Sequence, residues 1–317
     1  MFPISHSKAI EVVLYVAGVS GLLTTNVVAQ TGGSAPSGAP QHVTFDGPEG
    51  WALKYYASTT MMSGLQPPEP SEGVRRIGSI TLGLESGWLP TLSPDQRTVG
   101  FNGRQPLDLN KSQILVRPSL RVTLPWKLSA VVAAPLPVEI FGVAPHLLAF
   151  GLERPIVERG QWRFGWRGSG EVGSVDGAFT CPPGVSQFAP GSPGNPAGCI
   201  GNSSDTAILR YAGTELQLAY RIRRMPKLVP HVASGFNFVY GKFEVDAPLA
   251  TRVSHTQLWT RGNTFSETGG VSYLLTDKVA LTVDAFYSPL TVQRSLASGR
   301  TNDGLFNVRA LLSYSFR

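Results

Sequence analysis

The chain ends with GLFNVRALLSYSFR, residues 304–317. Every second residue from Phe306 to Phe316 is apolar or aromatic, and the residues between them are polar or charged, except Leu311. Successive side chains of a β-strand point to opposite faces, so this alternation predicts a strand with one apolar face. A strand that crosses a lipid bilayer at a tilt needs roughly 9–11 residues, which is about the length of this segment.

The composition of the chain supports a β-rich fold in an apolar environment. Only 15% of the 317 residues are charged, and the formal net charge is +6. A soluble domain carries about 25% charged residues, so the surface of this protein is short of charge. Glycine (35 residues) and proline (25 residues) are abundant, which favours many strands and turns over long helices.

The same alternation returns along the chain and predicts ten strands, at 77–88, 113–125, 128–137, 145–156, 161–175, 206–222, 228–242, 263–275, 279–290 and 305–316. Short connections at 124–127, 157–161, 222–227 and 276–278 alternate with longer ones at 89–112, 138–144, 176–205, 243–262 and 288–304. Short turns on one side and long loops on the other are typical of bacterial outer-membrane β-barrels. An even number of strands places both ends of the barrel on the side of the short turns.

One apolar stretch, residues 128–150, is long enough to suggest a transmembrane helix. Pro135, Pro137 and Pro145 interrupt it, and Glu139 lies near its middle. We therefore expect two strands joined by a loop.

The N-terminal part of the chain has three predicted segments. Residues 1–29 have the apolar core and the small residues before a cleavage point of a secretory signal peptide. Residues 30–75 are predicted to form a flexible segment. Within it, WALKYYASTTMM (51–62) is left over from the strand count. We expect it to be a non-barrel or lumen-filling segment, a plug; an extra strand there would need a partner and would give twelve strands.

Cys181 and Cys199 are the two cysteines of the chain, and they lie in a segment rich in proline and glycine. In an exported protein such a pair is expected to form a disulfide. A metal site is the alternative, but no histidine lies between or beside the two cysteines.

Aromatic residues collect at the predicted strand ends and suggest two interfacial girdles. They are Trp126, Trp162, Tyr220, Tyr273 and Tyr314 on the short-turn side and Trp88, Tyr240, Tyr287 and Phe306 on the long-loop side. With these features, residues 76–317 resemble the outer-membrane β-barrel superfamily of Gram-negative bacteria.

The resemblance implies an all-β fold, a transmembrane antiparallel up-and-down barrel in the bacterial outer membrane. It also implies contact with outer-membrane lipids and recognition of the final strand by the barrel-assembly machinery, although Arg317 follows the terminal aromatic residue. We expect a monomer that does not bind nucleic acid.

Charged residues on the faces opposite the apolar ones are expected to point into the lumen, because a charge facing lipid at the midplane costs about 2–4 kcal/mol. They are Arg117, Arg121, Arg163, Arg167, Arg221, Arg309, Glu85, Glu153, Glu171, Glu215 and Asp284. Two hypotheses follow. The charges either interlock as pairs that fill a narrow barrel, or the surplus of arginine creates a path that prefers anions.

The sequence predicts no catalytic residue, metal or cofactor. Ten strands are also the architecture of the omptin proteases, but none of His42, His146, His231 and His255 has an aspartate two residues away. The leading expectation is a small channel or passive transporter for small polar or anionic solutes. The alternatives are a closed structural or adhesin-like barrel that acts through its loops, and a transporter of hydrophobic compounds with residues 51–62 as its plug.

Overall fold

The computed structural model describes residues 39–62, 77–100, 105–107, 109, 113–136, 138–139, 142–294 and 299–316. The predicted signal peptide (1–29) and much of the predicted flexible segment (30–75) lie outside these residues.

Ten antiparallel strands form a closed barrel. They are β1 (Ile80–Trp88), β2 (Ile114–Thr123), β3 (Ser129–Ala133), β4 (Val143–Arg159), β5 (Trp162–Gly177), β6 (Asp205–Tyr220), β7 (Leu228–Leu249), β8 (Arg252–Leu274), β9 (Val279–Ser288) and β10 (Leu305–Phe316). Each strand pairs with the next along the chain, and β10 pairs with β1 to close the ring. The predicted ten-strand barrel is confirmed.

The alternation seen in the sequence separates the two faces of the wall. Large apolar side chains project outward and are exposed, among them Leu84 (51%), Phe150 (50%) and Phe236 (42%). The inward positions are buried, and many of them are small or polar. Because lipid is the solvent that suits an apolar outer wall, this is a transmembrane barrel, the architecture of bacterial outer-membrane proteins. No helix among the described residues is long and apolar enough to cross a membrane.

The connection between β7 and β8 differs from the prediction of a long loop at 243–262, which is wrong. The two strands continue as a paired hairpin as far as Leu249 and Arg252, so only Ala250 and Thr251 form the turn. A short strand, Pro40–His42, pairs in parallel with β8 at Gln257–Trp259 and covers its edge.

The stretch 128–150 forms two strands, as expected, but the first of them is much shorter than predicted. The prediction placed a strand at 128–137, whereas β3 ends at Ala133. β4, in contrast, runs for 17 residues. In this part of the wall, β3 is therefore much shorter than the neighbouring β4.

A helix, α1 (Pro48–Thr60), lies inside the barrel and contacts β6, β7, β8 and β10. Every residue of α1 except Glu49 is buried. A helix enclosed on all sides needs no polar face, which explains why residues 51–62 lack an amphipathic pattern. Proline at its first position is favourable because the missing N–H has no partner there in any helix.

Several short elements lie in the connections between the strands. A short helix, α2 (Pro94–Arg97), begins at Ser93, whose hydroxyl accepts a hydrogen bond from the backbone N–H of Gln96. Two short pairs, Thr98–Val99 with Gln105–Pro106 and Thr291–Val292 with Thr301–Asn302, lie in the loops. Single 3-10 turns occur at Pro125–Lys127 and Val185–Gln187.

Candidate functional site

The lumen below α1 is crossed by ion pairs between neighbouring strands. Arg117 on β2 donates two hydrogen bonds to Glu85 on β1, at 2.9 and 2.7 Å, and lies 3.6 Å from Glu171 on β5. These side chains are buried, with Arg117 1% exposed. A buried arginine in this setting requires acidic partners, because an unpaired charge is costly to remove from water.

A second set of pairs lies nearer the short turns. Glu153 on β4 bridges Arg121 (2.6 Å) and Arg167 (3.0 Å), and Arg167 also contacts Glu215 on β6 at 3.1 Å. The amide of Gln217 donates to the same Glu215 carboxylate. The five groups form a continuous polar band from β2 to β6.

The carbonyl end of α1 points into this charged region. Arg309 donates to the carbonyls of Met61 and Ser58, Arg117 to that of Thr60, and Arg167 to that of Met62. A helix leaves its last carbonyls without partners inside the helix, and its macrodipole is negative at this end. Three arginines from three separate strands therefore hold the C-terminal end of α1 in the lumen.

Two further hydrogen bonds fix the same end of α1. The hydroxyl of Thr60 donates to Glu171 at 2.6 Å, and the backbone N–H of Met62 donates to the hydroxyl of Tyr211 at 2.8 Å. All of these groups are buried. The plug is bonded to the wall rather than merely packed against it.

The remaining predicted lumen charges occupy other places. Oδ1 of Asp284 lies 2.7 Å from Nε2 of His231, a contact that the sequence did not predict. Arg163 forms an ion pair with Glu158 at the short-turn rim, and Arg221 lies beyond the end of β6. The buried set thus contains four arginines and five carboxylates, namely Arg117, Arg121, Arg167 and Arg309 with Glu85, Glu153, Glu171, Glu215 and Asp284. The surplus of arginine on which the anion path depended is not found among these buried groups.

The predicted girdle residues lie on the outer surface or in the turns. Trp162 and Tyr220 are neighbours on the short-turn side, with ring centroids 4.6 Å apart, and Trp126 is 78% exposed in a turn. The structure places all nine as follows: Trp126, Trp162, Tyr220, Tyr273 and Tyr314 toward the short turns, and Trp88, Tyr240, Tyr287 and Phe306 toward the loops.

The N-terminal end of α1 is held by the extracellular loops. Lys54, 1% exposed, donates to Asp46 at 3.1 Å and to the carbonyl of Thr291 at 2.8 Å, and the indole N–H of Trp51 donates to the carbonyl of Asp303. Partial burial opposes ionisation of Asp46, but hydrogen bonds from Thr291 and Lys54 and the charges of Lys54 and Arg300 outweigh it. They hold the pKa of Asp46 below its usual value.

A disulfide joins Cys181 and Cys199 in the loop between β5 and β6. Asp205 accepts hydrogen bonds from the backbone N–H groups of Phe179 and Thr180 and from the hydroxyl of Ser203. This places the ring of Phe179 against Tyr56 of α1, with centroids 5.6 Å apart. The loop therefore forms a fixed cover beside the plug.

An apolar cavity with an open mouth lies between α1 and the wall. The plug, the wall and the loops all line the cavity. α1 contributes Tyr55, Tyr56, Thr59 and Thr60, the wall Leu147 and Val175, and the loops Leu89, Leu109 and Phe179. The remaining lining residues lie near the end of β3 and are Ile114, Leu115, Val116, Pro135, Leu136, Val143 and Pro145. The sequence predicts none of these as site residues, because only the packing of α1 against the wall brings them together.

One polar group of the cavity lacks a partner. The hydroxyl of Tyr55 is buried and makes no hydrogen bond with the described part of the chain. Leaving a buried hydroxyl unbonded is unfavourable. The cavity is thus largely apolar, and the hydroxyl of Tyr55 is a polar group in its lining that has no partner in the described part of the chain.

Three histidines lie beside aspartates contributed by other strands. Besides His231 with Asp284, His146 lies 3.6 Å from Asp176, and His255 lies 3.4 Å from Asp246. The two outer pairs are exposed. Within the described ranges no group of three His, Cys, Asp or Glu side chains is placed to hold a metal ion.

The sequence matches no protein-family model and no curated protein. Solved structures that are similar include the outer membrane protease OmpT from Escherichia coli, with 10% identity over 75% of this chain and 94% of that chain and a TM-score of 0.38. Ail, the attachment invasion locus protein of Yersinia pestis, is 11% identical over 76% of this chain and 100% of its own, with a TM-score of 0.28. The toluene transporter TodX of Pseudomonas putida is 9% identical over 75% of this chain and 89% of its own, with a TM-score of 0.30.

Proposed function

We propose that this outer-membrane barrel binds a small apolar molecule in the cavity beside α1 and serves in the transport of such compounds. The observation that carries the proposal is the cavity itself, which is apolar and bounded by the plug. Burial of apolar surface yields about 25 cal/mol per Å², so an elongated hydrocarbon gains affinity along the whole cavity. The buried hydroxyl of Tyr55 suits a single polar group on the ligand.

The lumen supports this proposal over a channel for polar solutes. α1 lies along the bore, and its carbonyl end is bonded to Arg117, Arg167 and Arg309. A polar solute would have to displace the plug and break these buried contacts. An apolar ligand needs no such change, because its cavity is already formed.

Binding of cis-parinaric acid, a fluorescent fatty acid, tests the proposal. The protein is reconstituted in vesicles, and energy transfer from its tryptophans reports the bound probe. Val175→Phe fills the cavity from β5, whereas Val172→Phe makes the same change on the lipid-facing side of that strand, where Val172 is 45% exposed. We expect saturable binding that oleic acid displaces, lost in Val175→Phe and kept in Val172→Phe. Absence of saturable binding, or equal binding by the two variants, would contradict the proposed function.

A further inference from the structure

Positive charge is concentrated at the short-turn end of the barrel, on the side formed by β4 to β7. Two segments there, residues 154–163 and 221–227, contain seven basic residues and one acidic residue. The basic ones are Arg154, Arg159, Arg163, Arg221, Arg223, Arg224 and Lys227. Their surplus equals the formal net charge of the whole chain, +6, so the rest of the chain is balanced in charge. The basic character of the protein is therefore located at one place in the fold.

Pairing of β5 with β6 brings the two segments together. Trp162 and Tyr220 are partners in the register of these strands, and the backbone N–H of Arg221 donates to the carbonyl of Gln161 at 2.9 Å. The turn before β5 and the connection after β6 are therefore neighbours. Positive charges from separate turns are held close to one another, and such a surface attracts anions.

The acidic residue of the two segments does not neutralise this surface. Glu158 is already paired with Lys127 and with Arg163. Five of the basic side chains are exposed, and none of the five forms an ion pair within the described part of the chain. We call them the basic patch: Arg154, Arg159, Arg223, Arg224 and Lys227.

A bulge in β4 turns two arginines of the basic patch toward lipid. Arg154 continues the lipid-facing side of β4 and pairs with Trp166 of β5. The register shifts between residues 155 and 157, and Arg159 then pairs with Trp162, which is 52% exposed on the outer face. Side chains of a regular strand alternate, so without the bulge Arg159 would face the lumen. The wall thus directs both arginines outward, beside tryptophans.

Arg154 lies at a depth where a charge needs a partner. Trp162 belongs to the predicted aromatic girdle of the short-turn side, and Trp166 is four residues further along β5. On a tilted strand this places Arg154 about 10 Å closer to the membrane centre than the girdle. A long basic side chain at such a position extends toward the headgroups, and an ionisable residue that faces lipid indicates a functional contact.

The connection between β6 and β7 is a fixed turn that adds to this surface. The backbone N–H of Met225 donates to the carbonyl of Ile222 at 3.1 Å, and that of Leu228 donates to the carbonyl of Met225 at 2.8 Å. Arg223 and Arg224 are exposed in this turn, next to the side chain of Met225, which is 55% exposed. Basic side chains beside an apolar one suit a surface that has anionic headgroups above an apolar layer.

We propose that the basic patch binds anionic phospholipids, of which phosphatidylglycerol is the simplest, in the inner leaflet of the outer membrane. Their phosphodiester oxygens accept hydrogen bonds from the guanidinium groups. A water-soluble anion cannot be the occupant, because Arg154 faces lipid below the level of the girdle. This inference does not depend on the cavity or on its ligand, so either proposal can fail without the other.

Native mass spectrometry of the delipidated protein tests the inference. The protein is titrated with phosphatidylglycerol, or with phosphatidylethanolamine of the same acyl chains, which has the same phosphodiester but a neutral headgroup. Arg154→Gln with Arg159→Gln removes the two lipid-facing charges, and Arg223→Gln with Arg224→Gln removes two charges that lie outside any strand. Arg210→Gln with Arg261→Gln is the matched control, since both arginines are exposed on strands at the loop end. Heat-modifiable mobility on gels confirms that each variant is folded.

We expect the unmodified protein to bind phosphatidylglycerol at least ten-fold more tightly than phosphatidylethanolamine. Each basic residue near an anionic surface contributes about five-fold in affinity, so each patch variant should lose about ten-fold or more, and the control should bind like the unmodified protein. Equal affinity for the two lipids, or an equal loss in the control and the patch variants, would overturn the inference. Displacement of phosphatidylglycerol by a hundred-fold excess of glycerol 1-phosphate would also overturn it, because the patch would then bind phosphate without the membrane.

Discussion

The guanidinium of Arg309, on the last strand of the barrel, donates a hydrogen bond to the main-chain carbonyl of Met61, which follows α1 directly and is 248 residues away in the chain. The same guanidinium reaches Ser58 and lies 4.1 Å from the centre of the Phe286 ring. The strand that closes the barrel is therefore also one of the three strands whose arginines anchor the plug. Closing the barrel and placing α1 are coupled through one side chain.

Arg309→Met tests this anchor. The change leaves two buried carbonyls without their donor, and each such group costs about 1–3 kcal/mol. Every 1.4 kcal/mol is a factor of ten in an equilibrium constant, so we expect amide hydrogen exchange in α1 to accelerate by about ten-fold or more. Arg252→Met, at the exposed tip of the β7–β8 hairpin, is the control and leaves exchange in α1 unchanged. Equal protection of α1 in both variants would show that Arg309 does not anchor the plug.

Tyr55→Phe tests the unpaired polar group of Tyr55 in the cavity. The substitution keeps the ring and removes the hydroxyl, which has no partner in the described structure. If the hydroxyl bonds the carboxyl group of cis-parinaric acid, its loss weakens binding by about 0.5–1.5 kcal/mol, roughly two- to twelve-fold. Binding of a pure hydrocarbon such as diphenylhexatriene stays unchanged in the same variant. A parallel loss for both probes would assign Tyr55 a packing role instead.

The barrel could be predicted from the sequence because each residue of a spanning strand faces either lipid or the lumen, and the two environments favour different side chains. Lipid outside and a packed lumen inside impose a period of two, so the ends of β5, β9 and β10 were placed within a few residues. The hairpin beyond residue 242 was missed because Pro248 and its polar neighbours are typical of loops. Pro248 is tolerated there because it needs only to accept: the backbone N–H of Ile200, in the loop between β5 and β6, donates to its carbonyl at 2.9 Å.

The cavity could not be predicted from the sequence, for a different physical reason. Residues 51–62 are enclosed on all sides, so they show neither the alternation of a strand nor the stripe of a surface helix. Pro135 and Pro145 were visible, but only the register of β2, β3 and β4 shows that both line the cavity near the end of β3. The charge partners likewise depend on register, which explains why the role of His231 was not foreseen.

The cover beside the plug depends on the disulfide. Replacing both Cys181 and Cys199 with serine removes a cross-link over 18 residues, which stabilises by about 3 kcal/mol in the chain-entropy model. We expect faster proteolysis between residues 181 and 199 and a looser contact of Phe179 with α1. Asp205→Asn, which weakens the hydrogen bonds to Phe179 and Thr180, gives a smaller effect of the same kind. Proteolysis at the rate of the unmodified protein in the serine variant would contradict this role.

Acid pH is expected to release the extracellular end of α1. The pKa of Asp46 is lower in the folded protein than its unfolded value near 3.9, so its interactions stabilise fully above that value and are lost as pH falls through the folded pKa. Hydrogen exchange in residues 43–54 should stay constant from pH 7 to 5, after correction for intrinsic rates, and rise below about pH 4. Asp46→Asn should show raised exchange across the whole range, whereas Asp176→Asn, at an exposed pair, follows the unmodified protein.

The plug also predicts the electrical behaviour of the barrel. In planar bilayers the unmodified protein should show no sustained conductance, because α1 occupies the lumen and is bonded at both ends. Combining Asp46→Asn with Arg309→Met loosens both ends, and we expect intermittent openings. Since the buried lumen contains four arginines against five carboxylates, these openings should show no preference for anions in a salt gradient. Steady, anion-selective steps from the unmodified protein, with heat-modifiable mobility confirming the fold, would instead support a polar-solute channel and count against the closed lumen.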